Sequence, residues 1–195
     1  MIHISIEGMD GVGKSTVCNM LAQKLNYKFV EKPLHYLFDE EEGDFENYIK
    51  IRNKVNANPN RDFTALFYGL GSMYMYEKFK DQNIITDRHF ASNYAWSGNT
   101  KNDDVYDFLI KKIGKPLLTV ILYAPPSVIK ERLSSRCKTD SDLKKVGQSE
   151  QIYKKMIDFC MKKGFPHLVI DTSNLSPEEI TEKIISKVWY ELWKK

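Results

Sequence analysis

Residues 8 to 16 read Gly8-Met9-Asp10-Gly11-Val12-Gly13-Lys14-Ser15-Thr16, and this stretch decides the fold of the chain. It matches Gly-x-x-x-x-Gly-Lys-Ser, the pattern of loops that hold the phosphates of a nucleoside triphosphate. The glycines allow a tight turn, so that successive backbone N–H groups can point at anionic oxygens. The lysine of such a loop reaches the β- and γ-phosphates, and the serine hydroxyl can bind Mg²⁺. The stretch therefore predicts a site for ATP and Mg²⁺.

The sequence on either side of this loop has the pattern that a phosphate-binding loop requires. Residues 3–6 form a short β-type run that ends just before Gly8. After Ser15, apolar residues recur at helical spacing at Val17, Leu21 and Leu25. The positive end of this predicted helix would face the bound phosphates. This order of strand, loop and helix favours a phosphate site over an ordinary strand-to-helix turn.

Size and composition are typical of one globular domain that covers residues 1–195. The hydrophobic fraction is 42% and the aromatic fraction 12%, which is enough for a sizeable core. The formal net charge of +3 is small, and we expect no nucleic-acid partner. Three scattered cysteines fit a reducing compartment, and no apolar run approaches membrane-spanning length. Because the chain begins directly in a predicted strand, without a signal peptide, we expect a cytoplasmic protein with no membrane partner.

Predicted strands and helices alternate along the chain. Further β-type runs occur at residues 27–30, 84–86, 117–123 and 167–170, and the run at 117–123 is almost wholly apolar. Such a strand is typical of a parallel sheet that is buried on both faces. Helices are predicted at about residues 45–55, 63–80, 126–133, 150–163 and 177–192, with residues 39–44 as an acidic loop or helix start. The fold class is therefore α/β, a P-loop three-layer sandwich with a five-stranded parallel sheet and helices on both faces.

Polar residues follow several of these strands, where parallel sheets bind their ligands. Glu31 follows the second strand, Asp87-Arg88-His89 follows the third and Asp171-Thr172 follows the fifth. We expect these groups and the phosphate loop to converge on one cleft. There Ser15 and Asp87 would hold the metal ion, and Arg88 would bind the acceptor.

Two other classes of nucleotide protein lack their signatures in this sequence. A GTPase would carry a base-reading Asn-Lys-x-Asp, and neither Asn53-Lys54 nor Asn102-Asp103-Asp104 fits that pattern. An ATP-driven motor would have an apolar strand that ends in Asp-Glu, and none is present. The Asp-Arg-His that follows the third strand instead favours transfer to a small acceptor.

Three segments, in this order, resemble the thymidylate kinase family. Residues 6–16 resemble its phosphate loop, and residues 87–98 resemble its Asp-Arg-(Tyr/His)…Ser…Ala-Tyr-Gln-Gly segment. Residues 127–140 are similar to its helix and lid. The resemblance implies a five-stranded parallel sheet and transfer of the γ-phosphoryl group of ATP, with Mg²⁺, to a deoxynucleoside monophosphate, usually thymidylate. It also implies a homodimer formed through helices.

The resemblance further implies roles for individual residues. Asp10 would contact the sugar or phosphate region of the acceptor, Phe67 would stack on its base, and Arg88 would hold its phosphate. Arg136, helped by Arg132 or Lys138, would close over the transferring phosphoryl group from a lid at about residues 134–148. The expected catalytic residues are Lys14, Asp10, Arg88 and Arg136. ATP would contact Gly8, Asp10, Gly11, Val12, Gly13, Lys14, Ser15, Thr16, Arg132 and Arg136, and the deoxynucleotide substrate would contact Asp10, Glu31, Phe67, Arg88 and Trp96.

The chain departs from the family at the residues that read the acceptor base. Gly71 stands where the family has an arginine that bonds the thymine carbonyl, and Ser97 replaces a glutamine. A site that lacks hydrogen bonds to its base discriminates poorly or reads another base. The nearby Lys144-Lys145 pair is predicted to face solvent, and His35 and His89 are predicted to form local hydrogen bonds.

Two alternatives remain open on the sequence. Deoxynucleoside kinases share the sheet and loop, and Glu31, two residues before Pro33, could act as their general base on a 5′-hydroxyl. A nucleotide-binding regulator without catalysis is the second alternative, although Lys14, Ser15, Asp87 and Arg88 are all present.

Overall fold

Five parallel strands form a single sheet within residues 1–39, 45–137, 139 and 141–194, which a computed structural model describes. The strand order is β2-β3-β1-β4-β5. The strands are β1 (His3–Gly8), β2 (Lys28–Glu31), β3 (Ile84–Asp87), β4 (Leu118–Tyr123) and β5 (His167–Asp171). Each lies within one or two residues of its predicted position. Residues 40–44 of the acidic run, and Lys138 of the lid, lie outside the described residues.

Helices cover both faces of this sheet, as predicted. They are α1 (Lys14–Leu25), α2 (His35–Phe38), α3 (Glu46–Ala57), α4 (Arg61–Lys78), α5 (Phe90–Ser97), α6 (Asp103–Ile113), α7 (Pro126–Arg136), α8 (Ser149–Lys163) and α9 (Pro177–Trp193), with a 3-10 helix at Ser141–Gln148. Helices α1 and α9 pack against each other over one part of the sheet, and α5 and α8 pack together over another. The predicted α/β sandwich is therefore confirmed.

The register of the sheet brings the ends of three strands together. Asp87 at the end of β3 pairs with Ile6 of β1 on one side and with Glu31 of β2 on the other. Strand β1 lies at the centre and is buried along its whole length, which explains its run of apolar and small residues. The phosphate loop therefore emerges beside the polar residues that follow β2 and β3.

Helix α9 shows how local sequence sets a boundary. Ser176 accepts a hydrogen bond from the backbone N–H of Glu179 at 3.2 Å, and the Glu179 carboxylate accepts one from the Ser176 N–H at 2.8 Å. Pro177 occupies the first turn, where its missing N–H costs nothing. The local pattern Ser176-Pro177-Glu178-Glu179 is that of a capping box, and it sets the start of the helix.

Helix α4 is rich in aromatic residues and methionine, a composition that predicts deep burial, but the structure buries only one side of it. One side packs on α5 and α6, with Ala65 and Met75 fully buried. The opposite side exposes four large apolar side chains, between 38% and 50% of each: Phe63, Leu66, Leu70 and Met73. A helix rich in aromatic residues and methionine is thus only half covered in the single chain. Helices α2, α5 and α6 have no counterpart among the predicted helices.

Candidate active site

The phosphate loop begins with a glycine that no other residue could replace without strain. Gly8, at the end of β1, has a φ of 139°, and a Cβ atom there would lie 2.4 Å from the backbone oxygen of Leu122 on β4. Gly11 and Gly13 also have positive φ angles, of 87° and 91°. Helix α1 starts at Lys14, directly after Gly13, so its free N–H groups face the loop. This backbone is suited to binding phosphate.

Lys14 lies buried beneath the loop, between two carboxylates. Its Nζ donates to the backbone oxygen of Met9 at 2.9 Å and lies 3.5 Å from Oδ1 of Asp10 and 3.9 Å from Oδ1 of Asp87. Burial and the charge of Arg88 lower the pKa of Lys14, while the two carboxylates oppose that change. The ammonium group is thus held where it can reach phosphate oxygens.

Ser15 and Asp87 meet at the start of α1 and could hold a divalent cation. The Ser15 hydroxyl donates to Oδ2 of Asp87 at 3.3 Å, and the buried Oδ1 of Asp87 has no hydrogen-bond partner among the described residues. The described residues include no group of three acidic, His or Cys side chains able to bind a metal by themselves. One hydroxyl and one carboxylate fit Mg²⁺, which usually takes its other ligands from water and substrate phosphates.

Arg88 is fixed at the junction between the loop and the sheet. Its φ of 73° is unusual for a residue other than glycine, and it turns the chain sharply after β3. Nη1 donates to the backbone oxygen of Gly8 at 2.8 Å, and Nη2 donates to Oδ1 of Asp10 at 2.7 Å. Burial opposes both charges, but the pair holds the pKa of Asp10 well below, and that of Arg88 above, its usual value.

Glu7 supports this turn from below, a role that the sequence analysis missed. Its carboxylate is fully buried and accepts hydrogen bonds from the Ser5 hydroxyl at 3.3 Å and the backbone N–H of Ser92 at 3.1 Å. Burial raises the pKa of Glu7, although the hydrogen bonds and Arg88 oppose that change. An acidic residue in the central strand β1 was the available signal, because a buried carboxylate needs fixed partners.

A cavity of about 730 Å³ opens beside this cluster. It brings together six residues that were predicted as metal ligands or substrate contacts, namely Asp10, Ser15, Glu31, Asp87, Arg88 and Trp96. The residues that follow β5 do not line it, since Thr172 instead binds Arg132. The ends of β1, β2 and β3 therefore converge on one cleft, as expected.

The structure does not bring Phe67 to this cavity. Its ring is stacked on Phe38, with centroids 6.3 Å apart and planes 12° from parallel. The next residue of α4, Tyr68, lines the cavity instead, together with Gly71 and Ser72. Phe67 thus lies outside the cavity, and Tyr68 is the aromatic residue of α4 that lines it, because the rotation of α4 decides which side chains face the cavity.

Several cavity residues carry no motif and were missed. Arg52, Asn53 and Asn56 come from α3, and Arg61 comes from the start of α4. Lys145 is solvent-exposed, as predicted, and it also lines the cavity, where it pairs with Asp142 at 2.7 Å. The 3-10 helix that carries it packs on α7 and α8, and this tertiary contact leaves no local sequence signal.

Neither lid arginine, Arg132 or Arg136, lines the cavity, although Arg136 lies next to its wall. Arg132 donates from Nη1 to Oγ1 of Thr172 at 3.0 Å and from Nη2 to the Thr172 backbone oxygen at 2.7 Å. The exposed Arg136 lies with Nη2 3.8 Å from Oδ2 of Asp142. Both arginines are on α7. Arg132 is anchored to Thr172 at the end of β5, whereas Arg136 lies beside the 3-10 helix.

His89 differs from its prediction as a hydrogen-bonding residue. Its ring is buried against His3 and Phe90, and neither ring nitrogen has a hydrogen-bond partner in the described part of the chain. Burial lowers the pKa of His89 to about 3, which keeps the ring neutral. The Nδ1 of His35 likewise has no partner among the described residues.

The geometry defines a class of protein before any comparison is made. A phosphate loop at the end of a central strand, open to a nucleotide-sized cavity with a fixed arginine, is the arrangement of a P-loop kinase for a small acceptor. Residues 6–184 match the family model described as thymidylate kinase, and the chain belongs to this family. It is thus a phosphotransferase that binds nucleotides. None of the described helices is long and apolar enough to cross a membrane.

Relatives in this group differ in the substrates that their names give. A probable thymidylate kinase of Pyrobaculum aerophilum is 26% identical over 94% of this chain and 94% of its own. A putative adenylate kinase of Pyrococcus abyssi is 25% identical over 95% of this chain and 83% of its own. The acceptor of this chain therefore cannot be read from their names.

Solved structures of similar fold include two nucleotide complexes. The YorR protein of Bacillus subtilis, in complex with phosphorylated GDP, is 25% identical, with a TM-score of 0.58 over 97% of this chain and 96% of its own. Deoxyadenosine kinase from M. mycoides, with bound dCTP, is 20% identical, with a TM-score of 0.61 over 96% of this chain and 98% of its own. At that identity the second likeness concerns the fold alone.

Proposed function

We propose that this protein transfers the γ-phosphoryl group of ATP to the phosphate of a deoxynucleoside monophosphate, with thymidylate as the first acceptor to test. The position of Arg88 carries this proposal. Its guanidinium group is fixed by Gly8 and Asp10 at the point where the phosphate loop meets the cavity. A fixed guanidinium group suits a phosphate better than a hydroxyl, because it offers several donors and a full charge.

In this proposal the phosphate loop binds the donor. The N–H groups of residues 8–16 surround the ATP phosphates, and Lys14 neutralises the charge of the phosphoryl group in transit. Ser15 and Asp87 would hold Mg²⁺, which supplies further positive charge to the phosphates when bound. Positioning and charge neutralisation account for most of the catalysis in this chemistry.

The acceptor lies in the cavity. Arg88 binds its phosphate, Asp10 keeps Arg88 in place, and Tyr68 supplies an aromatic face for the base in place of Phe67. Trp96 is half-buried in the cavity wall and contacts the sugar or base. The lid, at residues 134–148, provides Arg136 and Lys145, and Arg132 remains anchored to Thr172 next to the donor site.

We also propose a homodimer, as the family resemblance implies. The four exposed side chains Phe63, Leu66, Leu70 and Met73 follow one another at helical spacing along α4. A contiguous apolar stripe of this length is rarely left open on a single chain. A second copy that presents the same stripe would cover it by two-fold symmetry.

The test of the proposed reaction is ADP release from Mg-ATP with two sets of acceptors. One set contains deoxynucleoside monophosphates, and the other contains the matching unphosphorylated deoxynucleosides. The proposal expects turnover with monophosphates alone, and Arg88→Met should raise the KM for them. Turnover confined to the unphosphorylated set would contradict it.

A deoxynucleoside kinase is the second candidate, and the position of Glu31 favours it. Glu31 lines the cavity at the end of β2, beside Asp87 in the sheet register. A carboxylate there could take the proton of a 5′-hydroxyl. However, Glu31 already forms an ion pair with the adjacent Lys32, so its carboxylate is engaged within the protein. The monophosphate reaction therefore has the stronger support.

A further inference from the structure

One side of the cavity is built by residues that no motif identifies. Arg52, Asn53 and Asn56 lie on α3, and Arg61 begins α4. We call these four residues the donor wall. Arg52 lies over the ring of Tyr48, with its Cζ atom 5.9 Å from the ring centroid. Because α4 places Tyr68 next to Asn56, the wall borders the aromatic face proposed for the base.

The amide oxygens of the donor wall are already engaged within the protein. Arg52 donates from Nε and Nη2 to Oδ1 of Asn53, at 3.3 Å and 3.0 Å. Since a guanidinium group can only donate, the Asn53 atom that faces it must be the oxygen. Tyr68 likewise donates its hydroxyl to Oδ1 of Asn56 at 2.8 Å. Both asparagines are therefore left with their NH₂ groups for a ligand.

The two arginines of the wall also offer only donors. Arg61 bonds the backbone oxygens of Asn58 and Pro59 through Nη2 and Nε, so that Nη1 remains available. No carboxylate pairs with either wall arginine in the described part of the chain. By contrast, Arg88 pairs with Asp10 and Lys145 pairs with Asp142. The wall thus has uncompensated positive charge, and the oxygen of each of its amides already accepts a hydrogen bond within the protein.

Such a wall distinguishes bases by the groups on their edges. Guanine presents the acceptors O6 and N7, and thymine and uracil present the acceptor O4. Adenine and cytosine present an amino group at the corresponding position, which would face another donor. Where the bound acceptor excludes water from the wall, a donor that faces another donor weakens binding by roughly tenfold or more, which is enough to select a substrate.

We propose that the donor wall selects acceptors whose base carries a carbonyl at this edge, and disfavours bases with an amino group there. The wall would thereby replace the arginine that reads the base in the family, because this chain has Gly71 at the position of that arginine. Gly71 offers the cavity no side chain, and a Cβ atom added there would lie 3.1 Å from Cγ of Leu34. This inference rests on the proposed function, since it concerns the acceptor in the same cavity.

The test compares kcat/KM for dGMP, dTMP and dUMP with that for dAMP and dCMP. Wild type should favour the carbonyl bases by at least roughly tenfold, the worth of one hydrogen bond to the base. Asn53→Asp and Asn56→Asp exchange the free NH₂ for an acceptor of the same shape. Each should reduce the preference by roughly tenfold, and Gln23→Glu, an exposed amide-to-acid change on α1, should leave it unaltered.

Equal activity of wild type on all five acceptors would overturn the inference. A loss in the Asp variants by the same factor for every acceptor would also overturn it, because the wall would then bind the phosphate. Calorimetric titration of the same five nucleotides separates this inference from the proposed function. Preferential binding of nucleotides with carbonyl bases, without any phosphoryl transfer, would support the selectivity of the donor wall and contradict the proposed function.

Discussion

Lys14 is the residue on which the proposed chemistry depends most directly. Its ammonium group lies between Asp10 and Asp87, at the start of α1, and is shielded from solvent. Charge in such a protected place acts more strongly on a phosphoryl group than the same charge in water. The sequence predicted this position, because the phosphate loop is a local motif whose spacing fixes the side chain.

Lys14→Ala should reduce kcat for phosphoryl transfer by about 10²–10³, because it removes one charge that stabilises the transition state. Steady-state ADP release from Mg-ATP and a deoxynucleoside monophosphate measures the change. Lys80→Ala, at an exposed ion pair with Glu77, serves as the control and should keep wild-type activity. A Lys14→Ala enzyme with activity close to wild type would contradict the proposed role.

His89 links the stability of the fold to pH. Burial lowers its pKa to about 3 in the folded state, against 6.5 when exposed. Between these values the unfolded chain binds the proton and the folded chain does not, so stability falls as the pH falls. The free energy of unfolding should therefore decrease from pH 7 to pH 5.

His89→Phe should make this decrease smaller, because phenylalanine cannot bind a proton and suits the T-shaped packing on Phe90. Some dependence should remain, since burial also lowers the pKa of His3. Urea unfolding at pH 7 and pH 5 gives the two free energies. A variant with the same loss of stability as wild type would show that His89 does not titrate in this range.

At the scale of elements, the junction of β1, β4 and the phosphate loop sets the geometry of the site. Gly8 lets β1 pass so close to Leu122 of β4 that no side chain fits between them. Gly114, after α6, also has a positive φ, of 77°, but a Cβ atom added there would meet nothing within 4 Å. Substitution of Gly114 therefore tests backbone strain alone, whereas substitution of Gly8 tests backbone strain together with a steric clash.

Gly8→Ala should destabilise the protein by more than Gly114→Ala. The second change carries only the strain of a left-handed backbone, about 1–3 kcal/mol, whereas the first adds a clash with backbone. Urea unfolding of both variants compares them directly. Equal losses would mean that β1 and β4 can move apart without cost.

Prediction from sequence succeeded where the signal was local and failed where packing decides. The phosphate loop, the strand ends and the start of α9 depend on neighbours in the chain, so their patterns predict them. Whether Phe67 or Tyr68 faces the cavity depends on how α4 is rotated against α5 and α6. The cavity positions of Arg52 and Lys145 depend on how α3 and the 3-10 helix are placed, which no spacing in the sequence records.

At the scale of the whole molecule, the apolar stripe on α4 (Phe63, Leu66, Leu70 and Met73) is the surface that the proposed dimer would cover. Leu66 and Leu70 lie one turn apart at its centre, where burial contributes most. Arg61 of the donor wall lies on the same helix as this stripe, and the other wall residues lie on the preceding helix, α3. Dimer formation would therefore also hold one side of the cavity in place.

Leu66→Glu and Leu70→Glu should each shift the protein from dimer to monomer, because a charge in an apolar interface is costly. Sedimentation equilibrium gives the mass of the species in solution. Trp189→Glu, at a side chain 60% exposed on α9, is the matched control and should remain dimeric. A wild-type protein that is monomeric in solution would contradict the proposed homodimer.

The reaction itself can be read from the mass of its product. The protein is incubated with ATP labelled with ¹⁸O in the γ-phosphoryl group, Mg²⁺, and an equimolar mixture of thymidylate and thymidine. The proposed function predicts labelled thymidine diphosphate, with the label in its terminal phosphate, and unchanged thymidine. Labelled thymidylate formed from thymidine, without any diphosphate, would contradict it and would show that the protein is a deoxynucleoside kinase.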